Sequence, residues 1–300
     1  MSRPRIRHLA IASDDPRKAG AFYRAAFGWR EVGRFGFDAS DPADALAPAP
    51  RGSGVILTDG AMNVTIIRFS TDQLGHGLDY TGLHHIGFQV GDYQAYAEKL
   101  AALGVPVMME GHQIAPGTHV ELKYRGPDNV VFDIAQTAWK AGDAPDACAR
   151  VRHFAIASDH PGRAAGFFKS VFGLTELRRF GLDPAGLDDA SDAPRPSGVL
   201  LSDGSTNVTL LKLPGDQLGR GIGYTGLHHF GVIVADVAAM TRRLEALGAP
   251  PFMTGAEVAR TANAELKFRG PEGVVFDIAE TPWEGSAPLN ASSTRTQESA

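Results

Sequence analysis

The stretch Arg5–Gly28, RIRHLAIASDDPRKAGAFYRAAFG, returns at Arg150–Gly173 as RVRHFAIASDHPGRAAGFFKSVFG, and this echo decides the fold. Working outward from it, SGVILTDGAMNVTII at Ser53–Ile67 returns as SGVLLSDGSTNVTLL at Ser197–Leu211. DYTGLHHIGF at Asp79–Phe88 returns as GYTGLHHFGV at Gly223–Val232, and ELKYRGPDNVVFDIA from Glu121 returns as ELKFRGPEGVVFDIA from Glu265. The chain is a tandem duplication. The offset is 145 residues from His8 to His153 and 144 from His85 to His229, so one residue was lost between these blocks. The stretch from Asp38 to Arg51, rich in Asp, Ala and Pro, reads as the variable surface loop.

A weaker repeat lies within each half. IRHLAIA and HHIGFQV are short, partly alternating apolar runs of strand character. The first is followed by a helix with Asp14 or Asp15 as cap, Pro16 at its start and Gly28 at its end; in the second half the helix runs from Pro161 to Gly173. The helix after the second strand starts near Asp92 and stops at Gly104, with Asp236 and Gly248 as counterparts. Strand-like runs broken by Gly, Pro and Asp follow every helix. The expected fold class is α+β: four βαβββ modules paired into two lobes, each a curled mixed sheet forming a cup with helices outside. The expected bounds are 1–139 for the first lobe, 140–149 for a linker, 150–283 for the second lobe and 284–300 for a flexible tail of low hydrophobicity.

Composition narrows the function classes. The chain has 300 residues, 43% of them hydrophobic and 21% charged, which suits two ordinary globular units. A net charge of −5 supplies no basic field for nucleic acid or anionic lipid, so the expected partner is a small molecule. No run approaches the roughly 20 apolar residues of a spanning helix, and the opening residues lack the apolar stretch of a signal peptide. Cys148 is the single cysteine, which excludes an intrachain disulfide and a cysteine metal cluster. A cytoplasmic protein is expected, as monomer or homodimer.

Strand alternation places His8 with Ala10 on one face and Leu9 with Ile11 on the other; the same split recurs at His85 with Gly87, His153 with Ala155 and His229 with Gly231. In the last strand of each lobe, Asp133 and Asp277 oppose an apolar face such as Val130, Phe132 and Ile134. A carboxylate buried there is costly unless paired or coordinated. Two imidazoles and a carboxylate facing one cavity suit a divalent metal: Fe(II) first, with Mn(II) or Zn(II) as alternatives. The expected ligand sets are therefore His8, His85 and Asp133, and His153, His229 and Asp277.

These motifs, over nearly the whole chain apart from linker and tail, resemble the vicinal oxygen chelate superfamily, which includes glyoxalase I, extradiol dioxygenases and bleomycin-resistance proteins. The resemblance implies paired βαβββ modules curled around a metal, with ligands on the first strand of each module and the last strand of the second. Those places correspond to the same six residues. There are departures. The last-strand ligand is Asp where the family usually has Glu, the place of a fourth ligand falls near Ile66 and Leu210, and Lys123 and Lys267 stand where extradiol enzymes normally carry a tyrosine.

Alternation further sets Glu121, Lys123 and Arg125 on one face, with Glu265, Lys267 and Arg269 in the second lobe. Glu121, Lys123, Glu265 and Lys267 are candidate catalytic acids, bases or anion anchors beside the metal. Asn63, Thr65, Asn207 and Thr209 are candidate substrate-binding residues. His84 and His228 are expected to point to the opposite face as structural residues, and His119, which has no counterpart, to be solvated. The leading functional expectation is a metal-dependent dioxygenase acting on a small substrate that chelates the metal through two vicinal oxygens. A glyoxalase-type lyase or isomerase using the metal as Lewis acid is the alternative, and a metal-free drug-binding protein the second.

Overall fold

The computed structural model describes residues 4–37, 48–110, 121–136, 148–182, 195–253 and 266–289. The first lobe runs β1 (Arg5–Ala12), α1 (Pro16–Phe27), β2 (Arg30–Phe35), β3 (Ser53–Thr58), β4 (Asn63–Arg68), β5 (Gly82–Gln89), α2 (Tyr93–Ala102), β6 (Met109–Glu110), β7 (Leu122–Arg125) and β8 (Val131–Ala135). The second repeats it with β9 (Arg150–Ala157), α3 (Pro161–Phe172), β10 (Thr175–Phe180), β11 (Ser197–Ser202), β12 (Asn207–Lys212), β13 (Gly226–Ile233), α4 (Val237–Ala246), β14 (Pro251–Met253), β15 (Leu266–Arg269) and β16 (Val275–Ala279). Each lobe is thus two βαβββ modules.

Local chemistry sets the helix ends. The Asp15 carboxylate accepts hydrogen bonds from the Arg17 and Lys18 amides, Pro16 needs no donor at the first helical position, and Gly28 closes the helix in the left-handed region at φ 73°. The strands of the first lobe are ordered β2-β3-β4-β1-β5-β8-β7-β6, and those of the second β10-β11-β12-β9-β13-β16-β15-β14. The first strands of the two modules, β1 and β5, pair antiparallel at the centre, each flanked by the parallel last strand of its own module.

The helices divide into two kinds. α2 and α4 stay outside, with Leu100 and Leu244 as their buried residues. α1 and α3 lie between the lobes. α1 packs on β3 and β4 of its own sheet, while its Phe27 meets Phe276 of the other lobe edge-on at 5.3 Å and its Tyr23 lies 6.4 Å from Phe230. In return Phe172 of α3 stacks on Phe88 at 3.8 Å and meets Phe132 edge-on at 5.5 Å. The apolar face of each second module is therefore covered by the first helix of the opposite lobe, and one hydrophobic core runs through both.

Backbone bonds repeat the exchange. Asp59 Oδ2 accepts from the Val151 amide and Asp203 Oδ2 from the Ile6 amide, both at 2.8 Å. Ala149 donates to the Phe27 carbonyl, and Trp29 Nε1 donates to the Ala149 carbonyl. The described end of the expected linker, Cys148 and Ala149, is thus buried against α1. Residues 284–289, expected to be tail, also lie on the second lobe: Asn207 Nδ2 donates to the Glu284 carbonyl, the Ala287 amide to Ser205, and Leu289 packs near Trp283. Low hydrophobicity missed them because backbone hydrogen bonds hold them.

A shared core has a thermodynamic signature. Calorimetry is expected to show a single unfolding transition for both lobes, with calorimetric and van't Hoff enthalpies equal. Phe172→Ala, a change in the second lobe, should lower the midpoint of the whole transition. Two resolved transitions, with Phe172→Ala moving one of them, would refute the shared core.

Candidate active site

In register across the first sheet stands one row: Asn63 on β4, His8 on β1, Gly87 on β5, Asp133 on β8 and Lys123 on β7. The second sheet repeats it with Asn207, His153, Gly231, Asp277 and Lys267. Residues opposite one another in a sheet share a face, so this row gathers the expected ligands and lysines on one side. The glycine is what lets the row close. A β-carbon on Gly231 would lie 2.5 Å from Asp277 Oδ1 and 3.0 Å from the His153 β-carbon.

His85 joins from two pairs further along, opposite Ala10 and on the same face. The imidazoles of His8 and His85 stack at 5.2 Å with planes 5° apart. On distance alone the triad could hold a metal ion, since the ligand atoms of His8, His85 and Asp133 lie within 4.8 Å of one another. Among the described residues the second lobe brings no such set together; its His153 and His229 rings are 5.5 Å apart, with Trp283 stacked on His153 at 5.3 Å.

The lysines decide what the donors hold. Lys123 Nζ lies 2.8 Å from Asp133 Oδ2 and 2.9 Å from His85 Nε2, with those two atoms 3.0 Å apart. Lys267 Nζ lies 2.8 Å from Asp277 Oδ2 and 3.2 Å from His229 Nε2. Lys123 is 2% exposed and Asp133 0%, so these are interior ion pairs. Lys123 and Lys267, expected to act beside a metal, instead put their ammonium groups among its donors. A divalent ion would need to sit about 2.0–2.2 Å from the same imidazole and carboxylate, which places it against Nζ. The residues fit a cation, but as arranged they do not fit a metal ion as well.

Electrostatics follows from this burial. Burial pushes His8 and His153 down to about 3. His85 falls to about 4 through burial and the neighbouring Lys123 charge, and His229 is lowered by burial and Lys267. Burial alone would raise the carboxyl of Asp133; Lys123 and His85 outweigh it and hold the group well below the carboxylate range. Lys267 and His229 do the same for Asp277. The centre thus holds neutral imidazoles, a carboxylate and an ammonium.

His84 and His228 do not point to the opposite face as strict alternation expects. Pairing with β1 passes from Ala10↔His85 to Ile11↔Leu83, leaving His84 in a bulge, and His228 is skipped in the same way between Leu227 and His229. A bulge re-aims a side chain, and here it brings His84 Nδ1 within 2.7 Å of His85 Nδ1 and His228 Nδ1 within 2.7 Å of His229 Nδ1. His84 also stacks on Phe69 at 3.8 Å. The signal lay in the sequence: strict alternation would have set both histidines among the apolar residues of the other face. Burial and the adjacent His85 lower His84, and burial with His229 takes His228 down to about 2.

These two histidines are buried, each 4% exposed, at the floor of surface depressions. His84 lines a shallow, solvent-open depression together with Ala12, Phe69, Leu74 and Tyr80. His228 lines another with Ala157, Leu211, Ile222, Tyr224, Arg195, Asp159 and Asp216. The arginines differ between lobes. Arg51 is bound by Asp79 at 2.6 Å, whereas Gly223 stands in place of Asp79 and Arg195 has Asp159 at 3.6 Å.

The other expected site residues are placed otherwise. Asn63 Nδ2 donates to the Leu57 carbonyl and Asn207 Nδ2 to Glu284, so both amides serve the backbone. Thr209 Oγ1 is 3.4 Å from His153 Nδ1 and Thr65 is buried beside Ala10 in register. None of the four lines either depression. Glu121 is half-buried just before β7, while Glu265 and His119 lie outside the described residues.

Comparison with known proteins gives a family-level match. The model described as "Glyoxalase/Bleomycin resistance protein/Dioxygenase superfamily" matches residues 5–134 and again 150–278. No curated protein matches the sequence. Among solved structures, the chain is similar to the Mn(II)-bound glyoxalase from Novosphingobium aromaticivorans, with TM-score 0.63 and 17% identity over 93% of this chain and 83% of that one. It is similar to a mutant of 4-hydroxymandelate synthase from Streptomyces coelicolor at TM-score 0.64 and 14% identity, covering 93% of each chain. The 2,3-dioxygenase LapB from Pseudomonas sp. KL28 gives TM-score 0.60 and 16% identity over 95% of each.

Proposed function

The chain belongs to the glyoxalase/bleomycin resistance protein/dioxygenase superfamily, and on that premise we propose that it is an enzyme moving a proton on a small molecule bound at the rim of each lobe. The observation that carries this reading is the row of polar contacts His84–His85–Asp133, which starts at a depression and ends on a buried carboxylate held by Lys123, and its copy His228–His229–Asp277 with Lys267.

One proton arrangement along the chain suits a base. With His84 protonated at Nδ1 and donating to His85 Nδ1, and His85 protonated at Nε2 and donating to Asp133 Oδ2, His84 keeps a lone pair on Nε2. That nitrogen takes a proton from a carbon beside a carbonyl, the electron pair stays on the substrate as an enolate, and the proton returns to the adjacent atom. Asp133, held ionised by Lys123, orients His85 and through it His84. The expected substrates are small hydroxycarbonyl compounds with oxygens on neighbouring carbons. The oxygen-activating reading has less support, because the donors an Fe(II) ion would use are engaged by the ammonium groups of Lys123 and Lys267.

Proton exchange tests this directly. Incubation with hydroxyacetone in D2O, followed by NMR, is expected to show deuterium entering the carbon beside the carbonyl. The His84→Gln, His228→Gln double variant should slow it by about 10²–10⁴-fold, the usual contribution of a positioned acid–base group. Undiminished exchange in that variant, or oxygen consumed in step with turnover of the wild-type chain, would defeat the proposal.

A further inference from the structure

Lys123 stands directly opposite Asp133 in the β7–β8 pairing, and Lys267 opposite Asp277 in β15–β16. Cross-strand neighbours have β-carbons only about 4.5–5.5 Å apart, so a lysine there must fold its stem over the sheet to bring Nζ back to the carboxylate. Each does so and also reaches an imidazole nitrogen, at 2.9 Å in one lobe and 3.2 Å in the other. The same two contacts recur in both lobes of the duplicated chain.

From this we propose that both centres carry a built-in cation: the lysine ammonium takes the place of a divalent metal ion, and neither lobe takes one up. The inference does not depend on which reaction the protein performs. Its physical basis is charge and space. Asp133 and Asp277 are fully buried and need a compensating positive charge. The ammonium supplies it as a donor to the carboxylate oxygen, at 2.8 Å in each lobe. A second cation at the same atoms meets a like charge in a low-dielectric interior, and Nζ cannot withdraw to water without leaving its buried partner. The two rings in the second lobe are also spread to 5.5 Å, with Trp283 against His153, so that lobe departs further from a metal-binding arrangement.

The test needs no substrate. The full chain, purified without a metal-affinity tag and dialysed against chelator, is titrated with Co(II) and Mn(II), read by visible absorption for Co(II), by calorimetry and by elemental analysis. The wild-type chain is expected to take up no stoichiometric ion. Lys123→Ala, which vacates the centre where the three ligand atoms lie within 4.8 Å, is expected to bind one Co(II) per chain at least 100-fold more tightly than the wild type. One ion per lobe in the wild-type chain overturns the proposal, and so does a Lys123→Ala variant that shows native circular dichroism yet binds no Co(II). Should Lys123→Ala fail to fold, the wild-type titration alone decides. A proton-transfer reaction refuted by exchange leaves the outcome untouched, so the two readings fail separately.

Discussion

Lys123→Met is expected to destabilise the protein by about 3–5 kcal/mol, the usual cost of removing one partner from a buried ion pair. The loss arises from what remains: Asp133 is fully buried, and among the described residues its Oδ1 accepts no hydrogen bond and its Oδ2 would keep His85 alone. Asp133→Leu should be comparably harmful, because it strands the ammonium. The double variant is the informative one. An apolar pair of similar volume carries no uncompensated charge, so Lys123→Met with Asp133→Leu should recover much of the stability lost by either single change. Urea unfolding of the four proteins measures the coupling. If Lys123→Met unfolds at the wild-type urea concentration, the ammonium is not what stabilises the buried carboxylate.

Acid is expected to unfold the protein well before its carboxylates titrate. His8, His84, His85, His153, His228 and His229 are all lowered in the folded protein, first through burial. A histidine whose folded value lies below its unfolded one contributes stability that is present above the unfolded value, near 6.5, and is lost as pH falls below it. Over that window the unfolded chain binds a proton that the folded protein does not. Each such group then adds about 1.4 kcal/mol of loss per pH unit. Six acting together would exhaust the roughly 5–15 kcal/mol stability of a typical protein within about two pH units. Asp133 and Asp277 are lowered too, but their window lies further down, below the ordinary carboxylate value. Unfolding midpoints measured from pH 7.5 to 4.5 should therefore drop steeply from about pH 6. Midpoints that stay level to pH 5 would mean the imidazoles are already protonated in the folded protein or are open to water.

Much of this was legible in the residues. Duplication, module pattern, helix ends and the convergence of His8, His85 and Asp133 follow from repeats, caps and strand alternation, all local properties. His84 shows where alternation fails. A single bulged residue reverses the direction of a side chain, and the rule of two has no term for it. The histidine read as structural thereby became the one that lines a depression.

The amino-acid order by itself determined which side chains share a face wherever the strand is regular, because the period of a strand is fixed by the backbone. It did not determine what they hold. Whether Lys123 stands beside a metal or in its stead depends on a flexible four-carbon stem meeting Asp133 across two strands. Which helix covers which sheet was likewise settled by tertiary packing, since Phe172 finds its partners in the other half of the molecule. Contacts between elements distant in sequence carry no periodicity, so only the folded chain could disclose them.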